Sequence, residues 1–356
     1  MKKLSIFLTL LCIALVLNAQ IPQGYYNSTQ GLNGQALRAA LHNIIDNGDD
    51  NMSYNAMWSA YQKTDKKPNG KVWDIYSDVP NGTPPYQYIF GTNQCGSYNS
   101  EGDCYNREHL WAQSWTNNDG THKTDLHHVY PTDGFVNGKR SNYAFAEVED
   151  GNNTWYSENG GKLGRSITSG FNGTAFEPID EYKGDIARAL MYVSVRYYSQ
   201  DNSWGNSDMT QKSVIKNWAM TMLLRWHRED PVSQKEIDRN NAVYNTQQHN
   251  RNPFVDNPDF AERIWNPNYD DIEDQYVTTI SVNVWPNPTS SVVNIQGENL
   301  EAVYMYNAMG QLILTMNMQN TDNQSVIDVR GFNSGIYFMN IISENGNSVL
   351  KKVVVQ

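Results

Sequence analysis

Cysteine is nearly absent from this chain, with three in 356 residues. One of them, Cys12, lies inside the N-terminal apolar run, too early to carry a lipid. The other two, Cys95 and Cys104, bracket "CGSYNSEGDC", and no CxxC spacing occurs, which excludes a cysteine-built zinc centre. There is also no HExxH, the helical signature of zinc proteases. Basic side chains are short as well: 27 Lys and Arg stand against 38 Asp and Glu, a net charge of −11. A protein that grips nucleic acid over a broad face carries a basic surface, so at most a local cationic groove remains. Beyond Leu17 no stretch is long and apolar enough to span a bilayer.

What the first residues do have is a pair of lysines, an apolar run and a small-residue ending, Leu17-Asn18-Ala19, in "MKKLSIFLTLLCIALVLNAQ". That is the layout of a secretory signal peptide, residues 1–19, removed on export. In an oxidising compartment Cys95 and Cys104 are expected to pair, and closing so short a loop stabilises by about 2–3 kcal/mol. The rest of the chain is long enough for two domains. Up to Tyr276 it is rich in Trp, Tyr, Asn, Asp and His; beyond it come short alternating segments with few charges. The expected division is therefore residues 20–276 and 277–356, with the acidic Asp270–Asp274 stretch as linker.

Apolar residues at helical spacing predict helices over "NGQALRAALHNIIDN" (Leu37, Ala40, Leu41, Ile44, Ile45), "SYNAMWSAYQKT", "KGDIARALMYVSVRYYSQ" and "SVIKNWAMTMLLRWHRED". The helix from Lys183 is mostly apolar and is expected to be buried on one side. "SQKEIDRNNAVYNTQQHN" opens after Pro231 with Ser233 as its start signal. "KVWDIYSDVP" alternates and predicts a strand. Helices dominate and strands are few, so the first domain reads as a mainly helical α+β fold.

Four of the seven histidines, His109, His122, His127 and His128, fall between Tyr105 and Asn142, beside carboxamides, carboxylates and the cationic pair Lys139-Arg140. Phosphodiester hydrolysis needs an activated water and neutralisation of charge on the phosphoryl and leaving oxygens. A neutral imidazole supplies the first. A hard cation such as Mg²⁺, which takes oxygen ligands and keeps several waters, supplies the second. Glu108 and Asn137 offer carboxylate and carboxamide oxygens, leaving His109 as base. Neighbours on a strand point to opposite faces, so Glu108 and His109 flank one centre only from a strand end or a turn. "TDGFVNGKRSN" follows Pro131, a good first-turn residue, and is expected to form a short helix with Asp133, Asn137 and Arg140 on one face. A strand end carrying Glu-His against a helix carrying Asn makes a metal-holding ββα unit.

The segments "NREHLWAQSW", "DLHHVYPTDGFVNGKRSN" and "RNNAVYNTQQHNRNPFVDNP", in that order, resemble the endonuclease I family of secreted ββα-metal nucleases. The likeness runs from Gly34 to Trp265. It implies an endonuclease that cuts DNA, and often RNA, with little sequence preference and leaves 5′-phosphate ends. His109 would be the general base, and Glu108 and Asn137 the ligands of one Mg²⁺, with Mn²⁺ or Ca²⁺ as substitutes. Ala112 stands where many members have proline. Some members carry a transition-state arginine in the loop after Glu-His. His109 to Asp125 holds none, so that work passes to Lys123, Arg107 or Arg140, and Arg140 is placed with His109 as catalytic. Arg107, Lys123, His127, His128, Lys139 and Asn142 are expected at the substrate or behind the ligands. Trp111 and Trp115 read as core. So does "NRNPF", with Arg251 bridging backbone carbonyls and Phe254 packed inside.

The last segment contains neither His nor Cys. "VWPNPTSSVVNIQG", "AVYMYNAMGQLILTMNM", "QSVIDVRGFNSGIYFMNIIS" and "NSVLKKVVVQ" alternate between Gly and Asn turns and predict a small β-sandwich, with Pro286 and Pro288 at its entry and Gly310 and Gly335 at turns. "WPNP", "NAMGQ", "SGIYFMNI" and "KKVVV" resemble the C-terminal sorting domain of the type IX secretion system. That resemblance implies passage through the outer-membrane machinery, then release or attachment at the cell surface. The alternative is a carbohydrate-binding module with exposed aromatics, whereas Tyr304, Tyr306 and Tyr337 are expected in the core. Two other function classes stay open. One is a zinc hydrolase built on His127, His128 and a carboxylate. The other is an inert surface binding protein on a nuclease fold, against which intact Glu108, His109 and Asn137 argue. A monomer is expected.

Overall fold

The structure is a computed structural model that describes residues 21–47, 52–118, 120, 122–266, 282–307, 312–318, 324–343 and 348–356. The signal peptide, the boundary at Tyr276 with its acidic linker, and the turn at Gly310 lie outside the described residues. The chain divides into two compact units, Met1–Asn266 and Pro267–Gln356.

The first unit mixes helices with short strands. In order come α1 (Gly34–Ile45), α2 (Met57–Thr64), β1 (Tyr105–His109), β2 (Val129–Asp133), α3 (Gly134–Arg140), β3 (Ala144–Phe145), β4 (Trp155–Tyr156), β5 (Lys162–Arg165) and β6 (Thr174–Glu177). Then follow α4 (Lys183–Arg196), β7 (Thr210–Gln211), β8 (Val214–Ile215), α5 (Asn217–Glu229), α6 (Gln234–Val243), α7 (Pro253–Asp256) and α8 (Asp259–Trp265). In α1, Leu37, Leu41 and Ile45 recur every four residues and are fully buried. They face α4, against which α5 and α7 also pack.

Every residue of α4 is buried, where one-sided burial was expected. Its polar residues find partners inside the protein. Arg188 donates to Glu236 (Nη2 to Oε2 2.9 Å) and Asp185 receives Lys235 (2.6 Å). Glu236 in turn closes the capping box of α6, accepting the Ser233 N–H (2.8 Å). The strand predicted over "KVWDIYSDVP" does not form. The Asp74 carboxylate accepts the N–H groups of Tyr76 (2.8 Å) and Asp133 (3.0 Å), and this local turn wins over extended pairing.

β1 and β2 pair antiparallel, Glu108 opposite Tyr130 and His109 opposite Val129. α3 follows β2 without a loop. Pro131 lies in β2 opposite Arg107, not in the helix. Asp133, expected on the helix face, is instead the N-cap, accepting the Val136 N–H (2.8 Å). Trp111 and Trp115 are buried with ring centres 5.9 Å apart. Phe254 is buried too, but Arg251 pairs with Asp256 (2.6 and 2.7 Å) and not with backbone carbonyls. The acidic end of α7 offers it a bidentate charged partner, which outcompetes neutral carbonyls.

The second unit holds β9 (Asn283–Trp285), β10 (Val292–Gln296), β11 (Leu300–Asn307), β12 (Leu312–Asn317), β13 (Gln324–Asp328), β14 (Gly335–Ser343) and β15 (Ser348–Val355). Two sheets, β13-β10-β9 and β12-β11-β14-β15, close on one core that includes Val293, Ile295, Val303, Met305, Met339 and Ile341. Tyr337 joins that core. Tyr304 and Tyr306 do not: Val303 and Met305 take the inward positions of β11, so the period of two turns both tyrosines outward, half-buried. Among the described residues no helix is long and apolar enough to cross a membrane.

Candidate active site

His109 is the last residue of β1, and the chain leaves the sheet immediately after it. Glu108 and His109 thus border one cleft of about 500 Å³, together with Arg107, Gln113, Asn137 and Asn142. Glu108 is almost fully buried. Tyr76 Oη donates to its Oε1 (2.9 Å), and Arg140 Nη1 lies 3.1 Å from the same oxygen. Burial pushes this carboxyl above its ordinary range, while Arg140 and Tyr76 draw it back. Arg140 also borders the cleft but has no exposed surface. It donates to the carbonyls of His109 (2.9 Å) and Leu110 (2.7 Å), tying the end of α3 to the end of β1.

His109 Nε2 is 3.0 Å from the Lys123 carbonyl oxygen. A carbonyl only accepts, so Nε2 carries the proton and Nδ1 keeps its lone pair. The Gln113 carboxamide nitrogen approaches Nδ1 at 3.4 Å, and the Tyr54 ring stacks alongside with centroids 6.2 Å apart. Burial pushes the imidazole down to about 3, against the raising effect of the Lys123 carbonyl. The ring is neutral at working pH.

Across the cleft, Asn137 Nδ2 donates to Asn106 Oδ1 (2.7 Å), which leaves the Asn137 carboxamide oxygen as an acceptor. Arg107 donates to the Tyr54 carbonyl (2.7 Å) and lies over the Tyr54 and Trp58 rings (3.5 and 4.3 Å). Among the described residues no carboxylate pairs with it. Lys123 sits over Tyr54 at 4.9 Å. Asn142 donates to Ser114 Oγ (3.1 Å). Lys139 turns to the flank of α3, over Phe135 and Trp155, outside the cleft. Cys95 and Cys104 are bonded, their Cα atoms 5.8 Å apart.

His127 and His128 do not line the cleft, but the His128 ring packs edge-on behind His109, 5.9 Å between centres. His127 Nε2 meets the Asn250 carbonyl (3.2 Å) and His128 Nε2 the His122 carbonyl (2.8 Å). Among the described residues no three His, Cys, Asp or Glu side chains are gathered to hold a metal, either at His127-His128, where a zinc centre was the expected alternative, or elsewhere. Burial pushes both imidazoles from 6.5 to about 4. The unfolded chain therefore binds more protons than the folded one between those values. Their contribution to stability is expected to hold above pH 6.5 and to fall as pH drops toward 4, by on the order of 3 kcal/mol for each histidine. Asp74, Asp230 and Glu236, pushed up by burial, titrate with the opposite sign. The check is therefore the difference in urea melts between wild type and His127→Gln/His128→Gln from pH 7.5 to 4; a pH-independent difference would contradict the neutral burial of the pair.

Sequence reasoning did not find Tyr76, Asn106 or Gln113. Asn106 was within reach, since it lies two residues before Glu108 and so on the same face of β1. Tyr76 had no local signal; only the fold brings it to Glu108.

Residues 33–259, a span that contains every residue of this cleft, match the family Endonuclease I. The chain belongs to the Endonuclease I family. Residues 283–356 match a secretion system C-terminal sorting domain. A Bacillus subtilis (strain 168) protein named extracellular ribonuclease is 35% identical over 251 residues, covering 68% of this chain and 78% of its own. A Bacillus amyloliquefaciens protein of the same name is 36% identical over the same shares. A protein named endonuclease-1 from Buchnera aphidicola subsp. Baizongia pistaciae is 29% identical over 134 residues, 37% of this chain and 46% of its own. This Endonuclease I member is a secreted or cell-surface nuclease.

Proposed function

We propose that the chain is a metal-dependent endonuclease that hydrolyses phosphodiester bonds of DNA and RNA with little sequence preference. The observation that carries this reading is His109: its Nε2 is fixed on the Lys123 carbonyl, and it borders the same cleft as Glu108 and Asn137. The donor set fits a hard cation, one carboxylate and one carboxamide oxygen, the latter oriented by Asn106. Glu108 and Asn137 would hold one Mg²⁺, with Mn²⁺ or Ca²⁺ as substitutes. Bound there, the ion supplies Lewis-acid neutralisation of the phosphoryl and leaving oxygens. The two Bacillus relatives named extracellular ribonuclease support RNA as a substrate beside DNA.

His109 Nδ1 takes the proton of the attacking water. The imidazolium that forms keeps its Nε2–H bond to Lys123, and the phosphodiester's negative charge raises the basicity that burial depresses. Arg107, held flat on Tyr54 and Trp58, supplies the cation for a non-bridging oxygen. Arg140, expected to be catalytic, acts by positioning: both of its Nη atoms are committed to the His109 and Leu110 carbonyls and to Glu108. Titration calorimetry with Mg²⁺ tests the ligand assignment. Glu108→Gln and Asn137→Ala should each weaken binding at least about tenfold, and unchanged affinity in both would remove them as ligands.

A further inference from the structure

The loop closed by Cys95 and Cys104 carries Tyr98, which borders the cleft beside Asn137. The loop is held at both ends of its turn. Asp103 accepts the N–H groups of Asn99 (2.7 Å) and Ser100 (3.0 Å), and the Gly102 N–H reaches Asp133, the cap of α3 (2.9 Å). Tyr98 lies along α3 over Gly134 and Gly138. A Cβ at Gly134 would meet Tyr98 Cδ1 at 2.7 Å, and one at Gly138 would collide with the phenolic oxygen. Glycine weakens a helix, so two of them four residues apart in so short a helix serve this close approach.

The aromatic surface continues away from the cleft. Phe135 meets Tyr98 edge-on at 6.3 Å, Trp155 lies 6.4 Å beyond Phe135, and the Lys139 ammonium stands 5.3 and 5.6 Å from those two rings. All four side chains are half-buried. Lys139 pairs with no carboxylate among the described residues. Past Trp155, Asp150 is already paired, taking the Lys162 ammonium (3.0 Å) and the Tyr156 hydroxyl (3.1 Å).

We propose that Tyr98, Phe135, Lys139 and Trp155 form a track for the single-stranded nucleic acid flanking the scissile bond, running from the cleft to Trp155. Aromatic faces accept any unstacked base, and one ammonium among them meets the backbone without reading sequence. A duplex keeps its bases stacked on each other and gains little from the rings. The track thus makes unpaired segments the better substrates. This inference rests on the nuclease reading.

The test is steady-state cleavage by the full exported chain in Mg²⁺, with a single-stranded oligonucleotide and with its duplex. Tyr98→Ala should raise KM for the single strand about 5- to 100-fold, with kcat nearly unchanged and a smaller effect on the duplex. Tyr98→Phe should restore the wild-type KM, and Lys139→Gln should raise it for the single strand. Wild-type KM in both Tyr98→Ala and Lys139→Gln would overturn the track, as would a fall in kcat at constant KM or equal losses on the two substrates. If the wild-type chain cuts neither substrate, the nuclease reading fails and takes the track with it.

Discussion

His109→Ala is expected to lower turnover by about 10²–10⁴-fold while leaving nucleic-acid binding close to wild type. In the proposed mechanism the side chain contributes a proton acceptor at Nδ1, and Glu108, the other basic group among the described cleft residues, is committed to Arg140 and the cation. Gln113, whose carboxamide nitrogen lies 3.4 Å from Nδ1, carries no basic group. In the proposed mechanism binding would rest on other residues: Arg107 on its aromatic seat and a cation held by Glu108 and Asn137. Single-turnover rates and affinities measured on the same variant separate the two effects. Parallel loss of both would mean that His109 holds the substrate or the cleft together and is not the base.

Arg140→Met should cost about 3–5 kcal/mol of stability, as expected when one partner of a buried ion pair is removed. Methionine keeps much of the volume against Phe145, which the guanidinium covers at 4.4 Å. It leaves the Glu108 carboxylate with Tyr76 and the His109 backbone N–H but no cation, and deprives the His109 and Leu110 carbonyls of their donor. The double variant Arg140→Met/Glu108→Gln should recover part of the loss, because no buried charge is left uncompensated. Urea unfolding of the three variants measures this cycle. A loss under about 1 kcal/mol for Arg140→Met would place it among weak surface pairs and contradict the positioning role.

The sequence carried much of the site because its chemistry is local. Glu108 and His109 are adjacent, and the alternation rule already required a strand end to bring both to one centre; β1 ends at His109. Asn137 followed from the short helix, although the helix begins after Asp133 and Pro131 stays in the strand. The errors have a common cause: they concern partners distant in the chain. Arg140 reads as a free cation until the fold places two carbonyls and a buried carboxylate around it. "KVWDIYSDVP" has the pattern of a strand, but Asp74 finds the backbone of Asp133 and turns the segment. The one-sided burial expected for α4 fails because Glu236 and Lys235, 48 and 50 residues from their partners, neutralise its polar face. In the second unit, spacing alone showed alternation but not which parity faces the core.

The central claim is that Glu108, His109 and Asn137 form a metal-dependent nuclease centre. Its most direct test is cleavage of supercoiled plasmid and of a structured RNA by the exported chain, in Mg²⁺, in EDTA, and in EDTA followed by excess Zn²⁺. The account predicts nicking and fragmentation that need Mg²⁺ and stop in EDTA, with RNA cut as well as DNA. Intact nucleic acid in every lane, or cleavage that EDTA leaves untouched, would contradict it.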